Sequence, residues 1–183
     1  MYATLTELRN RLRIGPEDES EDALNELLED ASQVIDDEVG QPLVRSTDTV
    51  TLDGTGGEAL LLPRWPVHAV DDVVLVDEDG QEHVLVYRGD YTWSASGVLT
   101  RRPHGRLWPC HDRAVRATYT AGYELEDIAR RVRRICLRLA AAGRRNPAGA
   151  DSEDIGDTRV RWNTPGMLLT TGERELLARY ARP

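Results

Sequence analysis

Helical periodicity at residues 21–39 and again at 128–142 brackets a stretch, 46–123, written in a two-residue rhythm, and this order limits the folds open to the chain. In the first segment Ala23, Leu24, Leu27, Leu28, Ala31, Val34 and Ile35 recur at helical spacing, and Gly40 with Pro42 supplies the stop. In the second, Ile128, Ala129, Val132, Ile135, Cys136, Leu139 and Ala140 fall in one stripe, with Arg130, Arg131, Arg133, Arg134 and Arg138 opposite. A shorter helix opens the chain: Thr4 and Glu7 stand at capping-box spacing, and Leu5, Leu8 and Leu12 share a side. Each helix has an apolar face that needs covering, so the expected fold class is α+β. A helical bundle-like core (residues 1–45 with 124–146, its last helix at 125–142) carries an inserted small antiparallel β region (46–123). A linker and C-terminal arm (147–183) then end in a short helix, for which Thr170 and Glu173 form a second capping box ahead of Leu176, Leu177 and Tyr180.

Within 46–123, strands are expected at Thr49–Leu52, Leu60–Leu62, Val73–Val76, Val84–Val86, Val98–Thr100 and Ala114–Thr120. DEDG before Gln81 is a hairpin signal, because Gly80 takes the positive φ of a tight turn. DGTGG at 53–57 reads as another hairpin turn; a phosphate-cradling loop would lead into a helix, whereas here a strand follows. Residues 143–163 lose periodicity and read as a linker with one short strand near Val160.

Charge narrows the function classes. The net charge of -9 opposes general binding to nucleic acid, which rests on neutralising phosphates. Eleven acidic residues and no basic one lie between Ile14 and Val44, so the remainder is slightly positive, and all 23 basic residues are arginine. The helix at 21–39 is therefore acidic outside and the helix at 128–142 basic outside. Opposite surfaces of this kind favour pairing between protein faces, within one subunit or between neighbours.

Catalytic and metal signatures are weak. His104, Cys110 and His111 lack the paired spacing of a zinc site and read as surface-loop residues. No serine stands in a nucleophile elbow. No cofactor, metal or catalytic residue is expected, and the two cysteines, Cys110 and Cys136, read as buried thiols rather than a disulfide. No apolar run approaches the roughly 20 residues of a membrane span, and the first residues lack a signal peptide's apolar region, so no membrane partner is expected.

Four segments in order, YATLTELRNRLRI with DALNELLEDASQVIDDEVG, LLLPRWPVHAVDDVVL, RATYTAGY leading into DIARRVRRICLRLAA, and MLLTTGERELLARYARP, resemble the head-to-tail connector (adaptor) proteins of long-tailed bacteriophages, particularly those of actinobacterial hosts. The resemblance implies a structural, non-enzymatic virion protein of the neck, assembled in the host cytoplasm. Twelve copies would form a ring between the portal and the next ring, a stopper or tail-completion protein, and extend a channel that packaged DNA passes without specific binding. It also implies that the C-terminal segment reaches the portal, with Leu176, Leu177 and Tyr180 as anchors and Arg174, Arg179 and Arg182 as flankers. Contact between subunits would set Glu26, Glu29, Asp30, Asp36 and Asp37 against Arg130, Arg131, Arg134 and Arg138. Another ring protein of the neck, a stopper or tail terminator, is the first alternative; a DNA-binding module using the arginine helix is the second.

Overall fold

The computed structural model describes residues 1–146 and 166–181, and the backbone of a hairpin at Ser152–Ile155 and Thr158–Arg161. The chain forms two compact units. One joins residues 1–44 to 125–183; the other is residues 45–124.

In the first unit, α1 (Leu5–Leu12) starts at Thr4, whose hydroxyl accepts from the Glu7 N–H while the Glu7 carboxylate accepts from the Thr4 N–H at 2.9 Å. The α2 helix (Glu21–Val39) starts at Ser20 and ends where Gly40 turns left-handed at φ 79°. The α3 helix covers Arg130–Arg145, and α4 covers Thr171–Leu177 behind the Thr170 capping box. Leu8, Leu24, Leu28, Ile35, Cys136, Leu139 and Leu177 are fully buried, and full burial of an aliphatic side chain stabilises by about 1.5–3 kcal/mol.

A polar network crosses this core. The Tyr2 hydroxyl donates to the Asp36 carboxylate and accepts from the buried Leu43 N–H at 2.9 Å. The Tyr2 N–H donates to Ser32 Oγ at 3.3 Å, and Ser32 Oγ donates to the Leu28 carbonyl at 2.7 Å. Burial first, and then the bond to Asp36, raises the Tyr2 phenol above its ordinary range.

Two boundaries differ from the sequence expectation. Ile128 is buried, yet α3 begins only at Arg130, and its N-cap, Ala129, has no side-chain acceptor. The Tyr180 hydroxyl accepts from the Ala129 N–H instead, at 3.3 Å. At its other end α3 runs past Gly143 to Arg145. A Cβ on Gly143 would stand 2.1 Å from Met167 Cε, so the bare backbone leaves room for Met167 on the helix. The antiparallel pair of strands at Ser152–Ile155 and Thr158–Arg161 also replaces the single strand expected near Val160.

The second unit holds two antiparallel sheets. β1 (Ser46–Leu52), β3 (Val67–Val76), β4 (Glu82–Val84) and β7 (Val115–Ala121) form one, in the order β1-β7-β3-β4. β2 (Ala59–Leu61), β5 (Tyr91–Trp93) and β6 (Val98–Arg101) form the other, in the order β2-β6-β5. Central β7 alternates buried and half-buried residues, and its fully buried Ala117 lies opposite Val50 on one side and Val73 on the other. Thr47 meets Thr120 and Thr49 meets Thr118 on the opposite face through hydroxyl pairs at 2.7 and 2.9 Å. Leu60, Leu99, Trp108, Val115 and Tyr119 are among the side chains of the shared core.

The DEDG turn joins β3 to β4 with Gly80 at φ 79°. DGTGG is not a hairpin turn: β1 and β2 enter different sheets, and the segment zips onto the 109–111 loop through Gly54 N–H to the His111 carbonyl (2.8 Å) and Gly56 N–H to the Pro109 carbonyl (3.0 Å). The expected hairpin fails because long-range pairing, not local turn chemistry, sets the partners of this segment. Strand β5, Tyr91–Trp93, is not among the expected strands, and Cys110 is exposed rather than buried, on the loop that receives this zip.

Candidate interaction surfaces

The outer face of α2 repeats acid at Asp22, Glu26, Glu29, Asp30 and Asp37 because its apolar positions are all drawn to the opposite side by the core. Asp22, Glu26, Glu29 and Asp30 are exposed and have no ion-pair partner among the described residues. The other expected interface acids are engaged inside the unit: Asp36 by the Tyr2 hydroxyl, and Asp37 by Gln33 Nε2 at 2.8 Å. Glu38 faces Arg174 at 3.4 Å. Half-buried Ala23, Leu27 and Val34 run along one border of the acidic stripe.

Arginines of α3 divide in the same manner. Arg133 meets Glu7 at 3.3 Å and Arg144 meets Glu19 at 2.5 Å. Arg138 makes a forked pair with Glu173 (2.6 and 2.7 Å) and donates to the Leu168 carbonyl at 3.0 Å, so it fastens α4 to α3. Burial alone would raise the Glu173 carboxyl, but bonds from Arg138 and Thr170 overcome it and hold Glu173 below the ordinary carboxylate range. Arg130, Arg131 and Arg134 are exposed without a partner among the described residues, and so are Arg145 and, from α1, Arg11.

These free guanidinium groups frame two grooves. One, about 370 Å³, is lined by Arg11, Arg131, Arg134, Ile135, Arg138, Glu173 and Leu176. The next, about 400 Å³, runs between the start of α3 and the end of α4, past Arg130, Arg131, Leu176, Arg179 and Tyr180. The structure thus brings Arg130, Arg131 and Arg134 to one basic surface with half-buried Leu176, and sets Arg138 aside as a clasp. Arg11 and Arg145 belong to the same surface and were not singled out from the sequence. Arg145 continues the three-and-seven spacing of Arg131, Arg134 and Arg138, a signal that could have found it; Arg11 arrives from another helix, which no local spacing reveals.

Of the expected portal anchors, Leu177 is fully buried in the core of its own unit. Tyr180 is half-buried, its hydroxyl against Ala129 and its carbonyl accepting from Gln41 Nε2 at 3.4 Å. Leu176 is half-buried, Arg174 and Arg179 are exposed, and Arg182 lies outside the described residues.

Among the described residues no three His, Cys, Asp or Glu side chains gather as metal ligands, and no helix is long and apolar enough to cross a membrane.

No curated protein matches the sequence. The profile of a family described as Phage gp6-like head-tail connector protein matches residues 2–83, from α1 into β4. Among solved structures, a chain of the neck of an empty gene transfer agent (GTA) particle, computed with C6 symmetry, is similar with a TM-score of 0.66 at 19% identity, over 96% of this chain and 87% of that one. The neck of the native particle, computed with C12 symmetry, gives 0.66 at 18% identity over 97% and 87%. The virion of the native particle gives 0.66 at 20% identity over 96% and 87%. The resemblance to head-to-tail connector proteins therefore holds in two ways: residues 2–83 match that family in sequence, and nearly the whole chain shares the fold of a protein from a virion neck.

Proposed function

We propose that this chain is a structural, non-enzymatic head-to-tail connector of a virion neck, the adaptor ring between portal and tail-proximal ring. The observation that carries the reading is the pairing of a connector-family match at residues 2–83 with a fold shared along nearly the whole chain with a neck protein. The twelvefold symmetry with which one such neck was computed supports a ring of twelve copies around a channel for packaged DNA.

In this reading the portal-facing surface lies at α4 and the residues after it. Leu176 and Tyr180 offer half-buried apolar area, and Arg174 and Arg179 offer exposed charge beside them. Leu177 holds α4 to its own unit from beneath, so it shapes the surface rather than entering the portal. Repetition of a modest contact around a ring multiplies its effect through valency.

Native mass spectrometry of the chain alone and with the portal of its own particle tests the reading. A twelve-subunit ring seated on the portal is the expected result, and Leu176→Asp with Arg179→Glu abolishes it. A chain that ignores the portal and shifts with duplex DNA instead would refute it and favour a nucleic-acid module.

A further inference from the structure

We propose that the basic groove over α3 seats the acidic stripe of α2 from a second copy of this chain. The inference rests on the ring reading for its closure, although the contact itself belongs to the chain alone.

Length and charge match. From Asp22 to Asp37 the acidic stripe runs along α2, and from Arg130 to Arg145 the basic stripe runs along α3. Each interval is fifteen residues (37 − 22 and 145 − 130), and at 1.5 Å rise per residue each is about 22 Å long. At about 100° per residue, Asp22, Glu26, Glu29, Asp30 and Asp37 fall within about one third of the α2 circumference, and Arg130, Arg131, Arg134, Arg138 and Arg145 within about one third of that of α3, so each set keeps to one helix face. The unpaired acids Asp22, Glu26, Glu29 and Asp30 face a surface whose unpaired bases are Arg11, Arg130, Arg131, Arg134 and Arg145.

An apolar seam accompanies the charges. Half-buried Leu27 and Val34 border the acidic stripe; half-buried Leu176 lines the groove, and half-buried Leu12 lines an adjoining depression with Arg11, Arg138 and Arg145. Burying such a seam gives the contact its affinity, while the charges set register and exclude the wrong partner.

Geometry makes the occupant a second copy. Within one chain α2 packs against α3 through the apolar faces, so both charged stripes point outward and cannot meet in cis. A contact between two different patches of identical subunits is heterologous, and it closes into a ring when its rotation allows. Duplex DNA is the poorer fit, because the groove contains Glu173 and its Arg138 is already neutralised.

Single-cysteine variants test the contact. In a Cys110→Ser background, where Cys136 stays buried, Glu26→Cys and Arg134→Cys are purified separately, checked for fold by circular dichroism, mixed, and oxidised mildly. The Glu26–Arg134 heterodimer should exceed each homodimer by roughly tenfold, as expected where opposite surfaces meet and like ones repel. Adding Arg131→Glu to the arginine-side variant should remove the excess, and adding Glu29→Arg to its partner should restore it. Heterodimer no more abundant than homodimers, or an excess indifferent to those charge reversals, overturns the contact. A ring that forms on the portal without this heterodimer would refute the contact and leave the connector reading standing; a heterodimer from a chain that ignores the portal would do the reverse.

Discussion

Replacing Tyr2 by phenylalanine removes one oxygen from the helical unit and leaves the ring, which is 2% exposed, in place. That oxygen satisfies two groups, the Leu43 N–H and the Asp36 carboxylate. Leu43 is fully buried, so its orphaned N–H costs about 1–3 kcal/mol. Asp36 is half-buried and turns to water, which limits the second loss to about 1 kcal/mol. The expected destabilisation is thus about 2–4 kcal/mol, without the cavity that Tyr2→Ala would add. Urea unfolding followed by far-UV circular dichroism reads the helical unit. A second signature separates this account from mere loosening. The folded phenol is raised above its unfolded value, so its contribution is present below the ordinary tyrosine pKa and is lost as pH rises above it. Above about pH 10 the unfolded tyrosine releases a proton that the folded one keeps, and wild type should lose about 1.4 kcal/mol per pH unit that Tyr2→Phe does not. A substitution that shifts the midpoint by less than about 0.5 kcal/mol, or equal alkaline slopes for the two proteins, would refute the reasoning.

The Arg138–Glu173 clasp predicts acid release of α4. The Glu173 carboxyl is held low, so its contribution is present above the unfolded carboxylate pKa and is lost as pH falls through the lower folded one; amide exchange in α4 should accelerate there, and in Glu173→Gln already at neutral pH. In the β unit, a Cβ on Gly54 would stand 2.1 Å from the Pro109 carbonyl oxygen. Gly54→Ala should therefore lower stability by about 1–3 kcal/mol, read by the fluorescence of buried Trp108 on unfolding. Arg64, 8% exposed, donates to Ser46 Oγ at 2.6 Å and to Asp48 and the Ala121 carbonyl. Arg64→Ala should cost about 1–3 kcal/mol and loosen β1 in amide exchange ahead of β3.

The helices of this protein were legible because their signals are local. Capping boxes at Thr4 and Thr170, the glycine stop at Gly40 and the apolar repeat of α2 each act within a few residues, so the chain declares them without help from the fold. The β region announced strands but not partners. Nothing near Ser46 indicates that β1 joins β7 seventy residues on, or that DGTGG crosses between sheets, because strand pairing is decided by which faces bury together. Charge behaved likewise. Sequence determined that α2 is acidic and α3 basic on their outer faces, since helical period and composition fix both. Only the tertiary structure decided which charges remain free: folding brought Tyr2 to Asp36, Glu7 to Arg133 and Glu173 to Arg138, and brought Arg11 from α1 beside Arg131 and Arg134. The attraction in an ion pair weakens as the distance in space grows, and that distance bears no fixed relation to separation along the chain.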